Sequence, residues 1–410
     1  MNKDFFRSIA ITLGRQGLSA VVQFLNVLVI AKFLGPEGNG IYSMALIISL
    51  TLGLLLNLGM GQSNAYFVGR REFSVSQVYS SATKIFWLYL LILAIVFFLL
   101  AGWFESLWGL SYGYLCVLIV CVPVIVLNSW LLGVFQGRED FSTYNAAMVV
   151  SPVISLSLTL ILVALGIDEG VFFYGGWFLG NLLSTIYLVV KIKDVARYEN
   201  KKIQAPYLRK AIVYGWKAHL SNLSSYAMYR VDIYFLNYFY GSSVVGVYSV
   251  AQQIIERFWM IAQAVSTVLF PRLASLNYAK SNKSRVELTC FSAKWVFLSS
   301  ILCGFLVYFL VDYFIEVAFG NEYSMAALAV QILLPGMIFF NLSRVLASYS
   351  SSTGFVGYMA VVSLICLMVS VAINLLLTPI YGISGAALAT TISYITSFGL
   401  GFFVFKKISR

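Results

Sequence analysis

Apolar runs as long as a bilayer is thick follow one another along almost the whole of this 410-residue chain. A helix needs roughly 20 mostly apolar residues to cross the hydrocarbon core. Backbone polar groups find no water there, so only helices and closed barrels can span it. The runs predict twelve helices, at about 9–33, 40–66, 84–104, 112–134, 145–166 and 171–191, then 212–240, 244–270, 289–311, 325–349, 357–378 and 384–405. Gly and Pro mark the turns at Gly35-Pro36, Gly241, Pro271 and Pro379 to Gly382. Sixty per cent of residues are hydrophobic and ten per cent charged, against about 25% charged in a soluble domain. With a mean hydropathy of +0.87, the chain is expected to be an all-α integral membrane protein, and a soluble enzyme is excluded.

A short signature occurs twice, 206 residues apart. Phe33, Gly35, Gly40, Tyr42, Ser43, Ala45 and Ile48 recur in register as Phe239, Gly241, Gly246, Tyr248, Ser249, Ala251 and Ile254. The offset is close to half the chain, so two pseudo-repeated six-helix lobes around a central cavity are expected: residues 1–191, a basic linker at 192–211, and residues 212–410. Internal repeats of this kind are the build of many secondary transporters.

Basic residues orient the spans. With the N-terminus in the cytoplasm, cytoplasmic connections hold Lys3, Arg7, Arg70, Arg71 and Arg138, the linker's Lys and Arg, then Arg272, Lys280, Lys283, Arg285, Lys406 and Lys407. The opposite loops hold Glu37, Glu105, Asp168, Glu169, Asp312, Glu316 and Glu322, with no Lys or Arg. This asymmetry predicts cytoplasmic termini. The net charge of +11 is thereby topogenic, lies against anionic lipid headgroups and calls for no nucleic acid.

Catalytic signatures are missing. The five cysteines lie within apolar runs in no metal-binding spacing, there is one histidine, His219, and no G-x-x-x-x-G-K-[ST] loop occurs. No cofactor or metal is expected, and nucleotide hydrolysis within these residues is not the energy source. The first run is too long for a signal-peptide core and reads as an uncleaved span.

Charge within the spans is the remaining signal. A charge at mid-membrane costs at least ~2.5–3.5 kcal/mol on insertion scales and faces a partner or a cavity. The first half offers Arg15 and, near the far end of its span, Lys32. The seventh span carries Lys217, His219, Arg230 and Asp232, the eighth Glu256 and Arg257, and the tenth Arg344. Helical spacing puts Arg230 on a stripe with Tyr226, Tyr234 and Asn237, and Asp232 on another with Ser221, Ser225 and Tyr229. Two readings stay open. Arg230 with Glu256, and Asp232 with Arg257, could be ion pairs joining the two helices. Alternatively, at least one arginine faces a lumen and meets an anionic cargo, for which the bidentate guanidinium is suited. Asparagines such as Asn57, Asn64, Asn128, Asn341 and Asn374 read as bonds across helix interfaces.

The run Tyr226 to Leu236, followed by Gly246 to Ala251, resembles the centre of Wzx-type polysaccharide flippases of the MOP exporter superfamily. So do Leu34 to Tyr42, Phe270-Pro271-Arg272-Leu273-Ala274, and Asn374 to Ala387. The resemblance implies two lobes in a V around a cavity. It implies a cargo of undecaprenyl-diphosphate-linked oligosaccharide, as in O-antigen or exopolysaccharide synthesis, moved to the outer leaflet of a bacterial cell membrane. Polymerase and glycosyltransferases of the pathway are implied as partners. Arg230, and with it Arg15, Arg257 and Arg344, would contact the diphosphate or acidic sugars; Asp232 or Glu256 would serve ion coupling or ion pairing. Sister families differ: peptidoglycan-precursor flippases usually have fourteen spans, and multidrug antiporters a dominant acid in the first lobe, where spans one to six here hold none at mid-membrane. An ion-coupled antiporter is the alternative transporter, and a non-transporting scaffold the alternative of another class.

Topology gives the first test. In a variant freed of its five cysteines, new cysteines at Asp168 or Glu322 should react with an impermeant reagent on intact cells, and one at Lys201 should not. The opposite pattern would refute the twelve-span orientation.

Overall fold

The computed structural model describes residues 3–197, 207–275, 282–353 and 355–409, and within helices it leaves some side chains undescribed, among them Arg15 and Lys217. Lys201, Lys202 and Pro206 of the expected linker, and Lys280, lie outside the described residues. All described elements are helical. They are α1 (Lys3–Asn57), α2 (Met60–Gly69), α3 (Val75–Trp108), α4 (Tyr112–Gly137), α5 (Phe141–Ala164), α6 (Gly170–Arg197), α7 (Tyr207–Tyr240), α8 (Ser242–Ser275), α9 (Asn282–Ala318), α10 (Ser324–Ser352) and α11 (Val356–Ser409).

Two of these helices are each a pair of spans. A straight helix as long as α1 or α11 would measure about 80 Å, more than twice a hydrocarbon core. Each breaks at a glycine outside helical geometry, Gly35 (φ 68°, ψ −177°) in α1 and Gly382 (φ 54°, ψ −127°) in α11. Such backbone favours glycine because it has no Cβ. The sequence predicts several loop residues at the first of these turns, whereas helix resumes at once with Pro36. Proline is tolerated in a first helical turn, where its missing N–H would have no partner. Among the described residues, eight helical segments are long and apolar enough to cross a membrane. Counting α1 and α11 twice and adding the more charged α7 and α8 gives the twelve passes of a multi-pass membrane protein.

The repeat is structural as well as sequential. Gly241 (φ 78°) makes the turn between α7 and α8 just as Gly35 does inside α1. Tyr42 and Tyr248 are both buried, as are Ser43 and Ser249, and Ala45 and Ala251.

The chain divides into two compact units, Met1–Leu220 and Ser221–Arg410, and the division falls within α7. The start of α7 belongs to the first unit because Tyr207 and Ala211 join a core with Phe67, Phe73, Trp130 and Leu131. Ser63 Oγ also donates to the Ala211 carbonyl at 2.6 Å, and Tyr207 is hydrogen-bonded to Asn64. In the second unit α10 is central, packed on α8, α9 and α11, with Val345, Leu346 and Tyr349 in its core.

Lipid-facing and interior surfaces divide as hydrocarbon demands. Trp87, Phe98, Trp103, Phe305 and Phe309 point outward. Inside, small polar side chains cross between helices: Asn57 to Ser129 (2.7 Å), Asn64 to the Trp130 carbonyl (2.9 Å), Asn128 to Thr185 (3.0 Å), and Asn341 to Ser300 (3.1 Å). Asn374 instead bonds the Ser370 carbonyl one turn back on its own helix. Close crossings rest on glycine, since a Cβ on Gly133 would strike the backbone of Gly61. Gly133→Val should therefore lower the melting temperature of the detergent-solubilised protein by an overpacking cost of ~1–3 kcal/mol. Gly102→Ala, whose Cβ meets nothing within 4 Å, should leave it unchanged or raised.

Candidate functional site

Four intramembrane charges of the second unit, Arg230, Asp232, Glu256 and Arg257, lie on the hairpin of α7 and α8. Arg230 and Gln252 stand equally far from Gly241 on its two sides, so an antiparallel pair brings them level. Arg230 Nη1 donates to Gln252 Oε1 at 2.8 Å, and Nη2 lies 2.5 Å from Glu256 Oε1. Both members of this ion pair keep some exposure, 17% and 23% of their side chains. Gln252 then turns its other end to the second acid, Nε2 donating to Asp232 Oδ2 at 2.9 Å. One glutamine thus joins two α7 stripes that do not share a face.

Asp232 is fully buried. Its Oδ2 also accepts from Tyr248 Oη (2.6 Å) and from Thr390 Oγ1 of α11 (2.8 Å), and its Oδ1 from the Ile233 amide (2.8 Å). The carboxylate is held by four donors, none of them a full charge. Such bonding compensates a buried acid.

The expected ion pair between Asp232 and Arg257 is not formed. Arg257 Nη2 bonds Gln253 Oε1 on its own helix at 3.1 Å. Asp232 is closer to the hairpin turn than Arg257 by about two helical turns, so their levels differ, and neutral donors already occupy the acid. Arg344 lies apart on α10, with Nη2 on Gln263 Oε1 (2.5 Å) and its guanidinium 5.0 Å from the Trp259 ring. A wall of rings lies between it and the buried acid: Tyr229 meets Trp259 at 4.9 Å and Phe340 at 5.5 Å, and Phe340 stacks on Tyr394 at 4.6 Å. The position of the Arg15 side chain is outside the described set. His219, buried, lies beside Trp216, ring centres 5.9 Å apart, in the first unit. Among the described residues no group of three His, Cys, Asp or Glu could hold a metal.

Tyr248, Gln252 and Thr390 escaped the sequence reading as partners of Asp232. Their signal lay in the hairpin register about Gly241 and in the repeat. The offset that aligns the two signatures sets Arg230, Gln252 and Glu256 against Phe24, Leu46 and Leu50 of the first copy, and Asp232 against Asn26. Asn26 donates to Ser155 at 3.2 Å. The first copy therefore makes the same hairpin with apolar residues and one amide where the second carries three charges.

The family model described as polysaccharide biosynthesis protein matches residues 5–277, two thirds of the chain and the whole α7–α8 cluster. The chain belongs to the polysaccharide biosynthesis protein family. A second family model, MatE, matches residues 218–376. The chain is 22% identical to a putative O-antigen transporter of Shigella flexneri over 382 residues, 89% of each chain. It is 25% identical to the capsular polysaccharide biosynthesis protein CapF of Staphylococcus aureus over 410 aligned residues, covering 95% of this chain and 96% of that one. Its fold matches that of the lipid II flippase MurJ in an inward closed conformation, with a TM-score of 0.78 at 16% identity over 97% and 87% of the two chains.

The ion pair gives a direct test. Arg230→Ala alone leaves Glu256 without its cation, a loss on the order of 3–5 kcal/mol for a buried pair, reduced here by the residual exposure. Abundance and melting temperature should fall, and the double variant with Glu256→Ala should recover most of both. If instead the losses of Arg230→Ala and Glu256→Ala taken singly add up in the double variant, the pair contributes nothing to folding.

Proposed function

We propose that the chain is a flippase that carries undecaprenyl-diphosphate-linked oligosaccharide repeat units from the cytoplasmic to the outer leaflet of a bacterial plasma membrane, by alternating access and without catalysis. The observation that carries this reading is similarity along nearly the whole chain to a putative O-antigen transporter and a capsular polysaccharide biosynthesis protein. In it, both termini are cytoplasmic, lobes 1–191 and 212–410 flank the linker 192–211, and the pathway's polymerase and glycosyltransferases are neighbours.

The α7–α8 cluster supports a functional role because the fold does not require it. The first copy packs Phe24, Leu46 and Leu50 at the corresponding places, and apolar replacement of buried ion pairs is often neutral or stabilising. Retaining Arg230 with Glu256 is thus better explained by cargo or ion chemistry. In the proposed cycle, Glu256 neutralises Arg230 until a diphosphate exchanges for it. Arg15, Arg257 and Arg344 supply further cationic contacts, and Asp232 or Glu256 binds the coupling proton or sodium ion.

One observation favours a second reading, an ion-coupled antiporter of the same superfamily: the MatE match spans residues 218–376 and so the charged cluster. Deleting the gene separates the two. The flippase reading expects loss of a surface polysaccharide and lipid-linked intermediates left facing the cytoplasm, with drug sensitivity unchanged. Intact surface glycan with lost dye efflux would establish the antiporter. In a complemented strain, Arg230→Lys should reach wild-type abundance yet restore surface glycan at least tenfold less well, since lysine lacks the bidentate fork. Full restoration by the Arg230→Ala, Glu256→Ala double variant would remove Arg230 from the cargo path.

A further inference from the structure

Within the second unit alone lies a cavity of about 520 Å³, bounded by α7, α8, α10 and α11. This is within the size range of small-molecule sites, but its lining is unlike theirs. Ser221, Ser225, Ser266, Ser343, Ser348, Ser351, Ser363 and Ser397 contribute hydroxyls, joined by the amides of Asn222 and Gln263. A cavity in a membrane-spanning unit has no need of eight serines for packing.

Some of these hydroxyls serve the helices themselves. Ser225 bonds Ser363 (3.1 Å), Ser343 bonds Ser397 (2.9 Å), and Ser348 bonds the Arg344 carbonyl one turn back (3.2 Å). Ser266 Oγ is buried and makes no hydrogen bond, an exception of the kind that marks a missing partner.

The cavity contains one charge, Arg344. Among the described residues no carboxylate lies within ion-pair distance of it, in contrast to Arg230 beside Glu256. Arg344 is instead positioned by neutral groups, Gln263 at 2.5 Å and the Trp259 and Phe340 rings at 5.0 and 6.0 Å. A guanidinium anchored on rings and an amide, without a counter-charge, is poised for an anion with planar or tetrahedral oxygens. The surrounding hydroxyls and amides can both donate and accept, as a sugar's hydroxyls require. The exposed ring of Phe270, also in the lining, offers an apolar surface against which a sugar can lie.

The cavity lies at the end of the unit where α7 enters, α8 and α10 finish and α11 begins, the end that also carries Arg272, Lys406 and Lys407. We propose that this cavity binds a glycosyl phosphate, its phosphoryl group on Arg344 and its sugar among the serines and Asn222. The lipid-linked headgroup of the cargo is its source, so the inference rests on the flippase reading while adding a site inside one unit to the arginine of the hairpin.

Binding to the full chain in nanodiscs tests it, read by tryptophan fluorescence with Trp259 beneath the arginine as the internal reporter. α-D-Glucose 1-phosphate should bind, with affinity falling as salt is raised. Arg344→Gln should weaken it about tenfold or more, as expected for loss of a hydrogen bond to a charged group, and Arg344→Lys by less. Ser266→Ala, which removes only the hydroxyl, should weaken it severalfold, while Lys294→Gln on the exposed face of α9 should change nothing. Monodisperse elution of each variant on size exclusion separates lost binding from lost fold. No binding by the wild type, or binding that Arg344→Gln leaves intact, overturns the proposal.

A farnesyl-diphosphate-linked glucose should displace the free phosphate ester. Binding of the ester without such displacement would assign the cavity to a soluble sugar phosphate and overturn its assignment to cargo. The gene-deletion phenotype is independent of these titrations. Lost surface glycan with no glucose 1-phosphate binding sinks the cavity assignment alone, and intact surface glycan with binding sinks the flippase reading and the cargo source that rests on it, while the glycosyl-phosphate site itself stands.

Discussion

A polar group placed in hydrocarbon must find its partner inside the protein, and nearly every feature of this chain follows from that obligation. It forces the backbone into helices, which break at glycines such as Gly35 and Gly382. It makes asparagines reach across interfaces to serines and carbonyls. It also gathers Arg230, Glu256 and Asp232 about one amide. Gln252 can serve Arg230 and Asp232 together because an amide carries an acceptor and a donor at opposite edges. A leucine at that position, as at Leu46 in the first copy, would leave both neighbours short of a bond.

Duplication supplies an internal control that single-copy folds lack. Both hairpins turn at a positive-φ glycine and bury a tyrosine at the same step beyond it, so the scaffold is common property. The charges are not. Where two copies of one unit differ by Phe to Arg, Leu to Gln, Leu to Glu and Asn to Asp within one hairpin, stability is a poor explanation for the polar set. Each polar residue adds a desolvation cost that the apolar version avoids. Asp232 shows how far that cost has been offset, with four donors from three helices.

Much of the fold was legible in the sequence because the bilayer fixes segment length and the chain repeats. Twelve passes, the turn glycines and the interface asparagines other than Asn374 follow from run length and residue type. The pair Arg230–Glu256 was legible too, since counting outward from Gly241 sets the two at similar depth. What was not legible came from a third helix. Thr390 lies on α11, 158 residues beyond Asp232, and no periodicity on α7 or α8 points to it. Asp232 does not pair with Arg257 for a related reason, because neutral donors compete for the same oxygen. The serine cavity escaped because each serine, taken singly, is an ordinary small residue of a membrane helix. Only the packing of four helices shows eight of them facing one space.

The same register also explains how the two least apolar helices can occupy a membrane. Among the described residues α7 and α8 contribute none of the eight segments that are apolar enough to cross on composition alone. Arg230 and Asp232 on one, and Glu256 and Arg257 on the other, would each cost at least ~2.5–3.5 kcal/mol at mid-bilayer if exposed to lipid. Paired as a hairpin, three of the four are compensated mainly across the α7–α8 interface: Arg230 by Gln252 and Glu256, and Asp232 by Tyr248 and Gln252. Neither helix is a good membrane segment without the other, so they must enter and remain as one unit. The short turn at Gly241 makes that possible, because it puts the second helix beside the first as soon as it is made. The tightness of the repeated signature there is therefore a condition for keeping charge in this half of the protein at all.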